Sequence, residues 1–178
     1  MTLVLASTSP QRRAILEQLG IPFEIVAPVY EELGEDPVEH AVGKARSVEG
    51  GGRPVLGVDT VVVCSDRVLN KPADEVEAAA MLELLAGREH QVVSGLCLRT
   101  RDWEEVHRDV TRVWFRPLGE RDVAAYVAAD EWRERAGGYA IQGRGAGLVE
   151  RIEGDYLNVV GLPAACLLRV LTERGLTF

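Results

Sequence analysis

The feature that most limits the fold of this chain is the run PVLGVDTVVVCSD at residues 54–66. It is apolar and branched almost throughout, which suits a strand buried on both faces better than one with a solvent face. Such a strand needs helices on either side of its sheet, and the sequence supplies them in alternation. TLVLAS (2–7) reads as a short buried strand. Ser9 then offers an N-cap, and Pro10 suits a first helical position, where its missing N–H costs nothing. Ile15, Leu16 and Leu19 give that helix an apolar face, and Gly20 ends it. IPFEIVAP (21–28) reads as a second strand. Asp36-Pro37 opens a second helix striped by Val38, Ala41, Val42, Ala45 and Val48, and Gly50, Gly51 and Gly52 close it.

Downstream, Asp74 and Glu77 form a capping signal for a helix over about 75–86, stopped by Gly87. Two β segments, about 89–100 and 104–116, meet at the polar pair Arg101-Asp102 and read as a hairpin. A helix is expected over about 120–129 and a last one over about 162–174. Between them, AGGYAIQGRGAGLVERIEGDYLNVVGLP (136–163) is rich in glycine but punctuated by Tyr139, Ile141, Leu148, Val149 and Ile152. That pattern predicts short strands joined by loops. The fold class expected is α/β, a mixed twisted sheet flanked by helices. With no linker, repeat or low-complexity tract, residues 1–178 are expected to form a single domain.

A net charge of −8 argues against a general nucleic-acid or membrane-surface binder, because either calls for a basic face. It leaves room for a polyanionic small molecule if basic residues cluster locally. Cys64, Cys97 and Cys166 are far apart and set among apolar neighbours, with no pairing pattern for zinc, redox chemistry or secretion. No run approaches the roughly 18 apolar residues of a membrane span, and the first residues lack the pattern of a secretory leader. The cytoplasm is the expected location. Trp103, Trp114 and Trp132 could be core or the face of a homodimer.

Several residues sit where they cost free energy. Asp59 interrupts VLGVDTVVV, and an ionised carboxylate in a buried strand must find partners. It either sits at a kink after Gly57 bonded to neighbouring backbone, or holds a metal ion or a water. Ser7, Ser9, Arg12 and Arg13 surround a helix start that attracts anions; the alternative reading is that Ser9 and Pro10 only cap the helix while the arginines reach solvent. Lys44 and Lys71 have the ordinary reading of solvated lysines, and Glu31-Glu32 that of a solvated acidic pair. His40, His90 and His107 show no metal-ligand spacing among themselves and receive no role. Gly143, Gly145 and Gly147 do not form a dinucleotide fingerprint. Taken together, the carboxylates and cations are the inventory of metal-assisted phosphoryl or nucleotidyl chemistry.

The segments LASTSPQRRAILEQLG, GVDTVVV, NKPADEVEAAAMLELLAGREHQVVSG and GGYAIQGRGAGLVERIEGDYLNVVGLP resemble, in order and spacing, the Maf family of nucleoside triphosphate pyrophosphatases. The resemblance runs from residue 3 to about 170. It implies a fold related to the inosine triphosphate pyrophosphatases, with a cleft between two lobes. It also implies metal-dependent hydrolysis of a nucleoside triphosphate to the monophosphate and pyrophosphate. Asp59 matches the family's catalytic proton acceptor. Ser7, Arg12, Glu31, Lys44 and Lys71 fall on its other polar cleft positions, and Thr60 and Gln142 on positions linked to base choice. GYAIQGRGA is similar to the branch acting on dTTP and UTP rather than that acting on 7-methyl-GTP. Gln11 stands where the family commonly has the first arginine of S-P-R-R, also a position linked to substrate choice.

On this reading Glu31 and Asp59 are expected to hold Mg²⁺ or Mn²⁺. Ser7, Arg12, Lys44 and Lys71 would face the phosphates, and Gln11, Thr60 and Gln142 would select the base. A nucleotide-binding regulator with little turnover is the competing class, given the family's association with septum formation. A phosphatase releasing orthophosphate is a third.

Overall fold

A computed structural model describes residues 1–177. Its elements follow the hydrophobic pattern closely. Strand β1 (Leu3–Leu5) leads to helix α1 (Pro10–Gln18), β2 (Phe23–Ile25), α2 (Pro37–Arg46), β3 (Val55–Cys64) and β4 (Arg67–Leu69). Helix α3 (Glu75–Leu85) precedes the long strands β5 (Glu89–Arg99) and β6 (Glu104–Phe115) and helix α4 (Glu120–Val127). Two 3₁₀ turns, Ala136–Gly138 and Gly143–Gly147, lead to β7 (Val149–Glu153), α5 (Tyr156–Val160) and α6 (Ala164–Glu173).

The seven strands form one mixed sheet in the order β2-β1-β3-β5-β6-β7, with β4 on β3. Pairing is parallel for β1 with β2 and with β3, and antiparallel for β3–β4 and β6–β7. Strand β4 lies just beyond the run 54–66 and folds back on β3. Ser65 and Asp66 turn the chain between Cys64 and Arg67 with φ of 48° and 61°. Two left-handed residues match the twist of a tight hairpin, but here they lack the glycine that usually signals one. Helix α5 forms where the glycine-rich pattern predicts short strands and loops, and Asp155 starts it by accepting the Leu157 N–H at 2.8 Å.

The chain divides into two compact units. The first comprises residues 1–60, 94–109 and those from Gly161 onward. One of its cores is built from Val4, Ala6, Ala41, Ala45, Val48, Val55 and Cys97, so α2 lies on β1 and β3. The second comprises residues 61–93 and 110–160. Its core gathers Leu82 and Leu85 of α3, Val113 and Phe115 of β6, Tyr126 of α4, then Trp132 and Tyr139. Trp132 is thus core, whereas Trp103 and Trp114 are half-buried beneath arginines, Trp103 under Arg174 and Trp114 under Arg112 and Arg151. The three cysteines are buried, and burial pushes the Cys97 thiol up to about 12, far from nucleophilic at neutral pH.

No helix among the described residues is long and apolar enough to cross a membrane.

Candidate active site

The site begins with a glycine. A Cβ on Gly57 would overlap the Ala41 carbonyl oxygen and come within 2.8 Å of the Ala45 nitrogen. Its absence lets α2 lie directly on the backbone of β3. Residues two apart on a strand share a face, so Asp59 projects toward the same helix as Gly57. His40 and Lys44 are one turn apart on α2 and therefore share its inner face. Gly43 works similarly on the outside: a Cβ there would overlap the Tyr30 ring, so the loop carrying Glu31 and Glu32 sits down on α2.

Asp59 and Lys44 are each 8% exposed and His40 is 4% exposed. Lys44 Nζ donates to Asp59 Oδ1 at 2.6 Å and stands 2.6 Å from Glu32 Oε1. His40 Nδ1 lies 3.3 Å from Asp59 Oδ2, and its Nε2 lies 3.2 Å from the Leu33 carbonyl. An ionised Asp59 would be strongly unfavourable in a strand interior without these partners. Removing Lys44 alone should cost about 3–5 kcal/mol, since it strands a buried charge.

Arg12 adds a second cation. Ser9 caps α1, its hydroxyl facing the Arg12 N–H at 3.5 Å and donating to Gln11 Oε1 at 2.9 Å. The Arg12 side chain turns inward: Nε donates to the Gly161 carbonyl at 3.0 Å and Nη1 to Ser7 Oγ at 3.1 Å. Its Nη2 lies 3.5 Å from Thr60 Oγ1, which in turn is 2.8 Å from Ser94 Oγ. Desolvation lowers the Arg12 pKa, opposed by the charges of Asp59 and Glu32, yet a guanidinium remains protonated in proteins. Arg13, about 100° further round the helix, points to solvent and pairs with Glu17 at 2.8 Å.

Ser7, Arg12, Lys44, Asp59 and Thr60 are therefore gathered in the first unit, with Gln11 on the adjoining helical turn. Glu31 is exposed, and it is its neighbour Glu32 that reaches Lys44. Lys71 and Gln142 belong to the second unit. Lys71 is exposed and pairs with Glu134 at 2.7 Å. Gln142, also exposed, precedes the 3₁₀ turn Gly143–Gly147, whose Arg144 and Gly145 N–H groups donate to the Glu131 carboxylate at 2.9 and 3.3 Å.

His40 and Glu32 escaped sequence reasoning. The histidines have no informative spacing among themselves; the informative one is His40 to Lys44, an i,i+4 pair on a helix facing Asp59.

Glu32, His40 and Asp59 each offer a ligand atom, all within 4.8 Å of one another. Two carboxylates and an imidazole are a donor set that fits a divalent cation of the Mg²⁺ or Mn²⁺ kind. The Lys44 ammonium occupies the midst of these carboxylates as a built-in monovalent cation.

The family model described as Maf-like protein matches residues 2–174. A protein named dTTP/UTP pyrophosphatase from Symbiobacterium thermophilum is 45% identical, covering 97% of this chain and 94% of its own. One of the same name from Nitratidesulfovibrio vulgaris is 46% identical, covering 97% and 87%. A third of that name, from Bacillus velezensis, is 43% identical over 96% and 95%.

Proposed function

The chain belongs to the Maf family, and from that premise we propose that it hydrolyses nucleoside triphosphates, dTTP and UTP or modified pyrimidine nucleotides foremost, to the monophosphate and pyrophosphate. The observation that carries this reading is Asp59: a carboxylate buried in a strand, paired with the Lys44 ammonium at 2.6 Å. A pure binding site for a polyanion would need the cations but would gain nothing from a buried anion among them.

In this mechanism Asp59 orients a water and accepts its proton as the water attacks the α-phosphorus in line. The bond from the α-phosphorus to the bridging oxygen breaks, and pyrophosphate leaves with its electron pair. Arg12, Lys44 and Lys71 neutralise the charge that develops on the departing group. Ser7 holds the Arg12 guanidinium in its inward pose. Asp59 and Glu32 would hold a divalent cation, in the role the family resemblance gives to Glu31 with Asp59. When bound, that cation supplies charge compensation at phosphate oxygens and makes water more acidic. Gln142, Thr60 and Gln11 select the base; a glutamine amide matches a pyrimidine edge because it both donates and accepts. A free-nucleotide substrate fits a cytoplasmic location.

An arginine in the first turn of α1 also acquires a reason. That turn carries partial positive charge and no acidic residue, so Arg12 is disfavoured there by up to about 1 kcal/mol without an anion. A triphosphate reverses the sign.

Incubation with Mg²⁺ or Mn²⁺ and a panel of nucleoside triphosphates tests the proposal. Pyrophosphate plus monophosphate is expected, fastest with dTTP or UTP. Orthophosphate release would instead indicate a phosphatase, and tight binding without turnover a regulator.

A further inference from the structure

The two ring nitrogens of His40 face a backbone carbonyl on one side and a carboxylate on the other. Its Nε2 faces the Leu33 carbonyl at 3.2 Å, and a carbonyl only accepts, so Nε2 carries the proton. In the neutral ring Nδ1 then presents a lone pair, and it points at Asp59 Oδ2 from 3.3 Å. That lone pair and the carboxylate oxygen converge on one place where an ion would find both as ligands. The same arrangement is what a metal-bound histidine shows: one nitrogen toward the ion, the other donating to a backbone carbonyl that fixes the tautomer.

The spacing agrees. Ligand atoms on adjacent corners of an octahedron with bonds of about 2.1 Å stand roughly 3 Å apart, close to the 3.3 Å between Nδ1 and Oδ2. Glu32 completes the group within 4.8 Å. His40 is itself 4% exposed, so its ring is held in place rather than free to swing away.

We propose that His40 Nδ1 is a nitrogen ligand of the divalent cation held at Asp59 and Glu32, and that this makes the site prefer Mn²⁺ to Mg²⁺. Imidazole suits transition metals, whereas Mg²⁺ favours oxygen donors. The inference rests on the pyrophosphatase reading for the presence of a cation and adds to it the donor that selects the metal.

The test uses the full chain with Mn²⁺ and no nucleotide. Pulsed electron paramagnetic resonance of the bound ion should show coupling to a ¹⁴N nucleus. Labelling only histidine with ¹⁵N should change that coupling in the unmutated protein, so the test does not depend on a variant that folds. His40→Leu should abolish the coupling and weaken Mn²⁺ binding at least about tenfold. Mg²⁺ binding, measured by competition, should change less than about threefold. Bound Mn²⁺ without nitrogen coupling, or an unchanged Mn²⁺/Mg²⁺ ratio in His40→Leu, would overturn the proposal. Nitrogen coupling in a protein that releases no pyrophosphate from any triphosphate would support His40 as ligand while removing the pyrophosphatase reading.

Discussion

Each unit of the molecule buries a histidine, and the two are put to opposite uses. In the first unit His40 stands between the Leu33 carbonyl and the Asp59 carboxylate, one helical turn from a buried lysine. In the second, His90 lies 5.0 Å from the Phe115 ring and 5.4 Å from the Tyr139 ring, both edge-on, with Nε2 2.8 Å from the Tyr139 hydroxyl. Phe115 and Tyr139 also meet edge to face at 4.7 Å. One histidine belongs to a cluster of charges whose ligand atoms lie close enough to share a cation. The other packs against the Phe115 and Tyr139 rings of a hydrophobic core, its Nε2 met by the Tyr139 hydroxyl. Burial alone therefore does not mark a functional histidine; what it faces does.

The largest effect that sharpens this contrast is at Asp59. Asp59→Asn keeps the volume and removes charge and basicity, so kcat should fall at least about a hundredfold, as measured by pyrophosphate release. Near-normal turnover would remove Asp59 from the mechanism.

The second unit should answer to pH through stability. Desolvation lowers the His90 pKa from 6.5 to about 4. Between those values the unfolded chain binds a proton that the folded protein refuses, so stability is complete above about pH 6.5 and falls as pH drops toward 4. The loss should approach about 3 kcal/mol. Urea midpoints at pH 7 and 4.5 measure it, and the extra loss relative to His90→Gln isolates this residue. Equal pH dependence in the two proteins would contradict the buried neutral imidazole.

A third test separates the roles of Lys44. Lys44→Met removes the ammonium that competes for Glu32 and Asp59, so Mn²⁺ should bind about tenfold more tightly while turnover falls. Parallel loss of both would mean that Lys44 only holds the site together. The smallest effect is expected at Arg13, exposed and paired only with Glu17 along its own helix. Arg13→Ala should change stability by no more than about 0.5 kcal/mol and leave activity within about twofold of the parent. A large loss would show that Arg13, and not only Arg12, meets the substrate.

Legibility from the sequence follows the same physics. Periodicity and caps located α1, α2 and α3 because Ser9, Asp36 and Asp74 each accept a hydrogen bond from an N–H of the first turn. The double-sided burial of β3 was visible in its composition, and so was the cost of Asp59 within it. The Ser65-Asp66 hairpin was not, because its residues carry no glycine signal. The site was readable where a resemblance supplied the positions and unreadable where orientation decides. Glu31 and Glu32 are adjacent in a loop with no periodicity, so sequence does not say which carboxylate turns inward. His40 needed the register of α2 against β3, which Gly57 sets through space.

The central claim is that water attacks the α-phosphorus under the control of the Asp59 group. Hydrolysis of dTTP or UTP in ¹⁸O-labelled water, with mass analysis of both products, tests it most directly. The account predicts one labelled oxygen in the nucleoside monophosphate and none in pyrophosphate. Label in pyrophosphate would place the attack at the β-phosphorus and contradict the mechanism.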